Sequence, residues 1–189
     1  MDHNICARYK NVMLRPLVHE DIENLRVWRN DRQATRFLRQ IGHITPEMQE
    51  KWFESYLRKQ TELTFAIVET DMLYRIVGSV SLYDIADKQA EFGRIQVGDP
   101  NAHGRGIGKA ATILTLAVAF ERLKLERVYA SVHRDNLAAY SSYMKVGFKV
   151  IGNRESEVGG VEDLIEIDRK TLYGVNDDVQ SIVYSEYKG

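Results

Sequence analysis

The sequence predicts one α/β domain, centred on a mixed, mostly antiparallel sheet of about seven strands with helices on both faces. Three observations predict it. Apolar runs at 63–69, 74–83 and 91–97 follow one another closely, and such short connections suit an antiparallel meander. The turn His103-Gly104-Arg105-Gly106-Ile107-Gly108-Lys109 then opens a run that is apolar almost all round, as in a buried helix. After it, strand, short helix and strand patterns follow through residues 127–152, which lays helices over the sheet.

Bulk properties agree. A chain of 189 residues, 44% hydrophobic, suits a single domain over 1–189, with a core at about 11–170 and 171–189 as a closing strand or tail. The formal charge of −1 provides no general basic field, so neither nucleic acid nor an anionic membrane is an expected partner. Cys6 is the only cysteine, so no intrachain disulfide can form. Residues 1–10 are polar and lack the apolar stretch of a signal peptide; a cytoplasmic location is expected. The longest apolar run, 110–120, is too short to span a bilayer.

The elements follow in order. Residues 11–17 read as a first strand, with Pro16 near its end, where proline is tolerated. Residues 19–30 read as a helix with Glu20, Asp21 and Glu23 in the first turn, where the dipole favours acids. Thr45-Pro46 starts a second helix to about 60, threonine as cap and proline at the first helical position. The meander follows, then a turn at 99–102 and the buried helix 107–122. Residues 127–133 form a strand. Asp135-Asn136 caps a short helix that stops at Gly147. Strands at 148–152, 162–168 and 180–187 close the chain, with a polar loop before the last. That last strand either closes its own sheet or pairs with another subunit, leaving a homodimer open.

The glycine turn supports two readings. It is a simple link from strand to helix, or a phosphate site. Glycines let the backbone approach a ligand closely, and a helix start presents unpaired N–H groups and partial positive charge. No Lys-Ser or Lys-Thr pair follows the glycines, unlike an NTPase loop. No metal is expected.

Two motifs together carry a resemblance. His103-Gly104-Arg105-Gly106-Ile107-Gly108 fits (Gln/Arg)-x-x-Gly-x-(Gly/Ala) except at its first position. Asn136, Ala139, Tyr143, Gly147 and Phe148 fit Asn-x-x-Ala-x-x-x-Tyr-x-x-x-Gly-Phe, with a strand between the motifs. In these the chain resembles the GCN5-related N-acetyltransferase (GNAT) family over roughly residues 11–153. Leu14-Arg15-Pro16-Leu17, Asp21 and Trp28-Arg29-Asn30 are similar to the branch that acetylates ribosomal-protein N-termini, polyamines and nucleotide-linked amino sugars.

The resemblance implies acetyl-CoA as co-substrate and a small-molecule primary amine as acceptor, such as a nucleotide-linked amino sugar or a polyamine. A protein N-terminus and a non-catalytic acetyl-CoA-binding module are the alternatives. Backbone N–H groups of residues 104–109 would take the pyrophosphate, with Arg105 and Lys109 adding charge. The pantetheine arm would add like a strand against Ile95, Gln96 and Val97, and a backbone N–H there, that of Val97, would meet the oxyanion. His103 stands where Gln or Arg is usual; its ring can donate a hydrogen bond, and binding should tighten when it is protonated.

Tyr143 is implied as general acid to the departing thiolate; otherwise it is a core aromatic, and Tyr140 is its neighbour in either role. Glu91 is the first choice of base, against a solvated carboxylate and a water relay. His133 is a weaker base candidate, more simply structural. Asn136 caps its helix and is expected to touch the cofactor as well. Trp28, Arg29 and Tyr83, with Arg36 and Phe37, are the expected acceptor walls. Arginine there would favour an acidic acceptor; a polyamine would want acids, for which Glu47, Glu50, Glu54 and Glu155 are scattered candidates.

Overall fold

Alternation along one strand shows how the layers arise. The computed structural model describes residues 3–39 and 41–188. Its chain begins with β1 (Ile5–Tyr9) and β2 (Val12–Pro16), then α1 (Ile22–Asn30), α2 (Pro46–Arg58) and β3 (Leu63–Glu69). In β3, Phe65 and Ile67 join the main core, whereas Ala66 packs with Leu17, Ile22 and Phe53 under α1 and α2. Successive side chains point to opposite faces, so a strand apolar at every position is covered on both.

The meander continues as β4 (Arg75–Ala86) and β5 (Gln89–Val97). Then come α3 (Ile107–Glu121), β6 (Arg127–His133), α4 (Leu137–Val146), β7 (Lys149–Glu155), β8 (Val161–Asp168), α5 (Arg169–Val175) and β9 (Val183–Glu186). The sheet order is β7-β8-β6-β5-β4-β3-β2-β1-β9. Every pairing is antiparallel except β5 with β6. Helix α3 lies at the centre of the main core, with Leu114, Leu116 and Val118 fully buried. Its buried Thr112 and Thr115 donate their hydroxyls to carbonyls four residues back, so burial leaves no hydroxyl unpaired.

The predicted sheet of about seven strands is corrected to nine among the described residues. The N-terminal stretch taken as polar contributes β1, an inner strand between β2 and β9. The signal was short: Tyr9 pairs with Val12 around a two-residue turn in which Lys10 takes φ +54°. The polar loop after residue 168 contains α5, capped by Asp168 accepting the Thr171 N–H. The closing strand is shorter than 180–187 and adds to β1 of its own chain, Ile5 opposite Glu186; it closes its own sheet.

Candidate functional site

The site is built where two strands part. β5 and β6 pair in parallel only from Gln89–Arg127 to Glu91–Tyr129. Beyond Glu91 they diverge, though β5 runs on to Val97 and β6 to His133. A bulge begins at the same place: Ser81 faces Gly93 but Ser79 faces Gln96, so two steps on β4 meet three on β5. Arg94 absorbs the extra residue at φ +50°, a left-handed conformation that side chains rarely take. Such bulges bend a strand away from its neighbour. The cue was in the sequence: the apolar residues Phe92, Ile95 and Val97 are spaced three and then two.

The glycine turn sits at the open end. Gly104 and Gly106 both have φ +74°, and an added Cβ at either would meet nothing within 4 Å. They are glycines for backbone conformation, and the space before them is free. The first α3 bond runs from Ala110 N–H to Gly106 C=O, so the N–H groups of Ile107, Gly108 and Lys109 precede the helical ladder. Lys109 is exposed. These features fit a phosphate-bearing ligand.

Two of the expected ligand-binding residues, Arg105 and Gln96, turn their side chains elsewhere. Arg105 pairs with the buried Glu69 at 3.1 Å. Burial acts to raise the Glu69 carboxyl, but three backbone N–H donors and Arg105 outweigh it and hold it at about 2. Gln96 turns its amide to the Trp28 carbonyl at 2.7 Å, so only its backbone remains for strand addition. His103 places Nε2 2.8 Å from the Val97 carbonyl oxygen. Gly98 N–H bonds back to Val77, so Val97, its predecessor on the strand, turns its polar groups toward the opened side. Asn136 caps α4, accepting the Ala139 N–H at 3.3 Å.

Glu91 and Tyr83 come together. The Tyr83 hydroxyl donates to Glu91 at 2.8 Å. A Cβ on Gly93 would crowd that hydroxyl at 2.7 Å, so glycine is what lets the phenol reach. Burial, then the Glu91 charge, pushes the Tyr83 phenol upward; it stays a donor. The Arg94 guanidinium lies 4.3 Å from the Tyr83 ring centroid and pairs with buried Glu62, which Lys59 also contacts. Glu91 also lines a pocket of about 200 Å³ with Tyr129, Ser131, Ile151, Arg154 and Leu164. Sequence reading missed Arg94, Glu62 and Glu69, whose partners lie 32 and 36 positions away, and Arg154, whose partner Glu162 faces it across the β7–β8 pair.

Tyr143 lies on the other face. Its ring packs edge-on to Phe92 at 5.7 Å and against Phe148 at 5.7 Å, and burial drives its phenol pKa upward. Phe92 and Glu91 are consecutive and point to opposite faces. Tyr143 and Glu91 therefore approach one point of β5 from two sides. Tyr140 is turned away, donating to Asp163.

His133 takes the structural role that was its simpler reading. Its Nδ1 accepts the Asp135 N–H at 3.2 Å, which leaves the proton on Nε2, donated to Gly159 C=O at 2.7 Å. Both nitrogens serve the backbone. Phe37 lies over this ring at 5.0 Å, and Arg39 pairs with Glu157. The segment between α1 and α2 thus crosses to the β6 end and the β7–β8 turn. Arg29 donates to the Arg39 carbonyl; burial, then the Arg94 charge, lowers its pKa. The Trp28 indole lies where a Gly98 side chain would go, beside the end of β5.

A family model described as "Acetyltransferase (GNAT) domain" matches residues 11–149. "Probable N-acetyltransferase YjcK" of Bacillus subtilis (strain 168) is 31% identical over 179 residues, 89% of this chain and 96% of that protein. Spermidine N(1)-acetyltransferase of Escherichia coli (strain K12) is 28% identical over 144 residues, 75% of each. The crystal structure of spermidine N-acetyltransferase from Vibrio cholerae, in complex with CoA and spermine, superposes with TM-score 0.78 over 86% of this chain and 98% of that one, at 21% identity. That last likeness is one of fold.

Proposed function

Since the chain belongs to the acetyltransferase (GNAT) family and is an N-acetyltransferase, we propose that it moves an acetyl group from acetyl-CoA to the primary amine of a small molecule by direct attack. The observation that supports this reading is that Glu91 faces a pocket while its neighbour Phe92 packs on Tyr143 from the opposite face, where β5 leaves β6.

When bound, acetyl-CoA supplies an activated thioester. The chain supplies the rest. N–H groups of residues 104–109 hold the pyrophosphate, with Lys109 adding charge and Asn136 bordering the site. The backbone of Ile95, Gln96 and Val97 offers an edge for the pantetheine amides. Glu91, steadied by Tyr83, takes the proton from the amine. Tyr143, kept as a phenol by burial, holds the proton that the sulfur acquires as the C–S bond breaks. One N–C bond forms, one C–S bond breaks, and each proton has a named holder.

Val97 N–H does not suit the oxyanion on this reading. It lies six residues past Glu91, about 20 Å of strand. We infer instead that the oxyanion meets an N–H of the bulge, which begins two residues past Glu91.

For the acceptor, Arg94 shares Glu62 with Lys59 and Arg154 pairs with Glu162, whereas the hydrogen-bond partner of Glu91 is a neutral phenol. That favours a cationic amine of polyamine type, the class named for the E. coli and Vibrio cholerae proteins. A nucleotide-linked amino sugar is the second reading. Arg29 favours it, because it forms no ion pair among the described residues and would accept an acidic group. Trp28, Arg29 and Tyr83 are walls in both.

The test is thiol release from acetyl-CoA with spermidine, spermine, a nucleotide-linked amino sugar and a peptide with a free N-terminus, the product identified by mass. Acetylated polyamine is expected. No thiol release with any amine, despite acetyl-CoA binding, would leave a non-catalytic binding module.

A further inference from the structure

Glu69 ends β3 and is fully buried, yet four donors meet its carboxylate. Oε1 accepts the Asp71 N–H and Arg105 Nη2, both at 3.1 Å. Oε2 accepts the Met72 and Leu73 N–H groups at 2.9 and 2.6 Å. Glu69 sits opposite Arg75 in the β3–β4 hairpin. Arg75 in turn contacts Asp99 Oδ2 through Nε and Nη2, both at 2.8 Å. Asp99 Oδ1 accepts the Asn101 N–H at 2.9 Å and so caps the 3-10 turn Pro100–Ala102.

One hairpin therefore holds the segment leading into α3 at two points, with pairs of opposite polarity: Arg75 on Asp99, ahead of the 3-10 turn, and Glu69 on Arg105, within the glycine turn. Between left-handed Gly104 and Gly106, Arg105 belongs to the most freely rotating part of the backbone. The His103–Val97 bond and the first α3 bond anchor its two ends; between them, the side-chain partner of Arg105 is Glu69, across the β3–β4 turn.

We propose that Glu69 is a positioning residue, holding the glycine turn through Arg105 in the shape that receives the pyrophosphate, an inference that rests on the acetyl-CoA reading above. Arg105 is then a strut. Charge and position predict opposite signs. Removing a carboxylate beside an anion site should tighten binding by Coulomb's law. Removing a strut should loosen it.

The experiment compares the wild-type chain with Glu69→Gln, Arg105→Gln and the double variant. Affinity for CoA is measured by calorimetry. Kinetics use two donors, acetyl-CoA and S-acetylpantetheine, which lacks the pyrophosphate. Glu69→Gln is expected to weaken CoA binding and raise the acetyl-CoA KM by about tenfold, with kcat nearly unchanged. Activity with S-acetylpantetheine should hold, and the double variant should lose no more than either single one.

Unchanged or tighter CoA binding overturns the proposal, as does an equal loss on both donors, which marks general damage. If Glu69→Gln does not fold, Glu69→Asp, which keeps the charge and shortens the reach to Arg105, decides by the same donor comparison. Wild type that binds CoA but turns over no amine removes only the catalytic reading, since calorimetry still tests Glu69. Wild type that binds no CoA removes both.

Discussion

The Tyr83 phenol donates to the Glu91 carboxylate across 2.8 Å, over the one residue of β5, Gly93, that is bare enough to let it pass. If Glu91 is the base, Glu91→Gln should lower kcat about 10²-fold or more, with acetyl-CoA affinity unchanged. Tyr83→Phe, which removes the support and keeps the carboxylate, should cost less. Steady-state kinetics with a saturating donor decide it. Full turnover in Glu91→Gln would assign the proton to a water relay.

Tyr143 is both a core aromatic and the proposed acid, and the two roles separate at the hydroxyl. Tyr143→Phe keeps the ring contacts with Phe92 and Phe148. It should lower kcat about 10²-fold while CoA affinity and melting temperature hold. A variant as active as wild type would confine Tyr143 to packing.

The His103 ring must carry its proton on Nε2, because the Val97 carbonyl it meets only accepts. That bond ties the first position of the glycine turn to the end of β5. His103→Ala, which removes the donor, should weaken CoA binding, and His103→Gln, whose amide can donate in its place, should weaken it less. Calorimetry on the three proteins is the check; equal affinities would make His103 a spacer.

Glu69 also predicts an acid profile. Its folded pKa of about 2 lies below the ordinary 4.5, so between these values the unfolded chain binds more protons. The contribution of Glu69 is whole above about pH 4.5 and is lost as pH falls toward about 2. Against Glu69→Gln, the wild-type stability advantage should be constant at higher pH and shrink through that window. Denaturant titrations over a pH series measure it; an advantage that persists to pH 2 would contradict the assignment.

Much of this molecule is written in short-range pattern. β3 and β6 have the predicted bounds, and α2, α3 and α4 lie close to theirs, because caps, turn glycines and apolar periodicity act over three or four residues. The Thr45, Asn136 and Gly147 signals are of this kind. So are the left-handed glycines of the turn before α3.

What chain order cannot encode locally was decided by the assembled sheet. β1 and α5 lacked sufficient pattern of their own; β1 is stable because β2 and β9 flank it. The bulge at Arg94 and the parting of β5 from β6 are properties of paired strands. Glu69 and Arg105 meet across 36 positions, and Arg94 and Glu62 across 32. Gln96, Arg105, His103 and His133 offered suitable chemistry in the sequence, but tertiary neighbours claimed their hydrogen bonds first. A buried charge or polar group must be paired, and only the folded chain determines which partner is within reach.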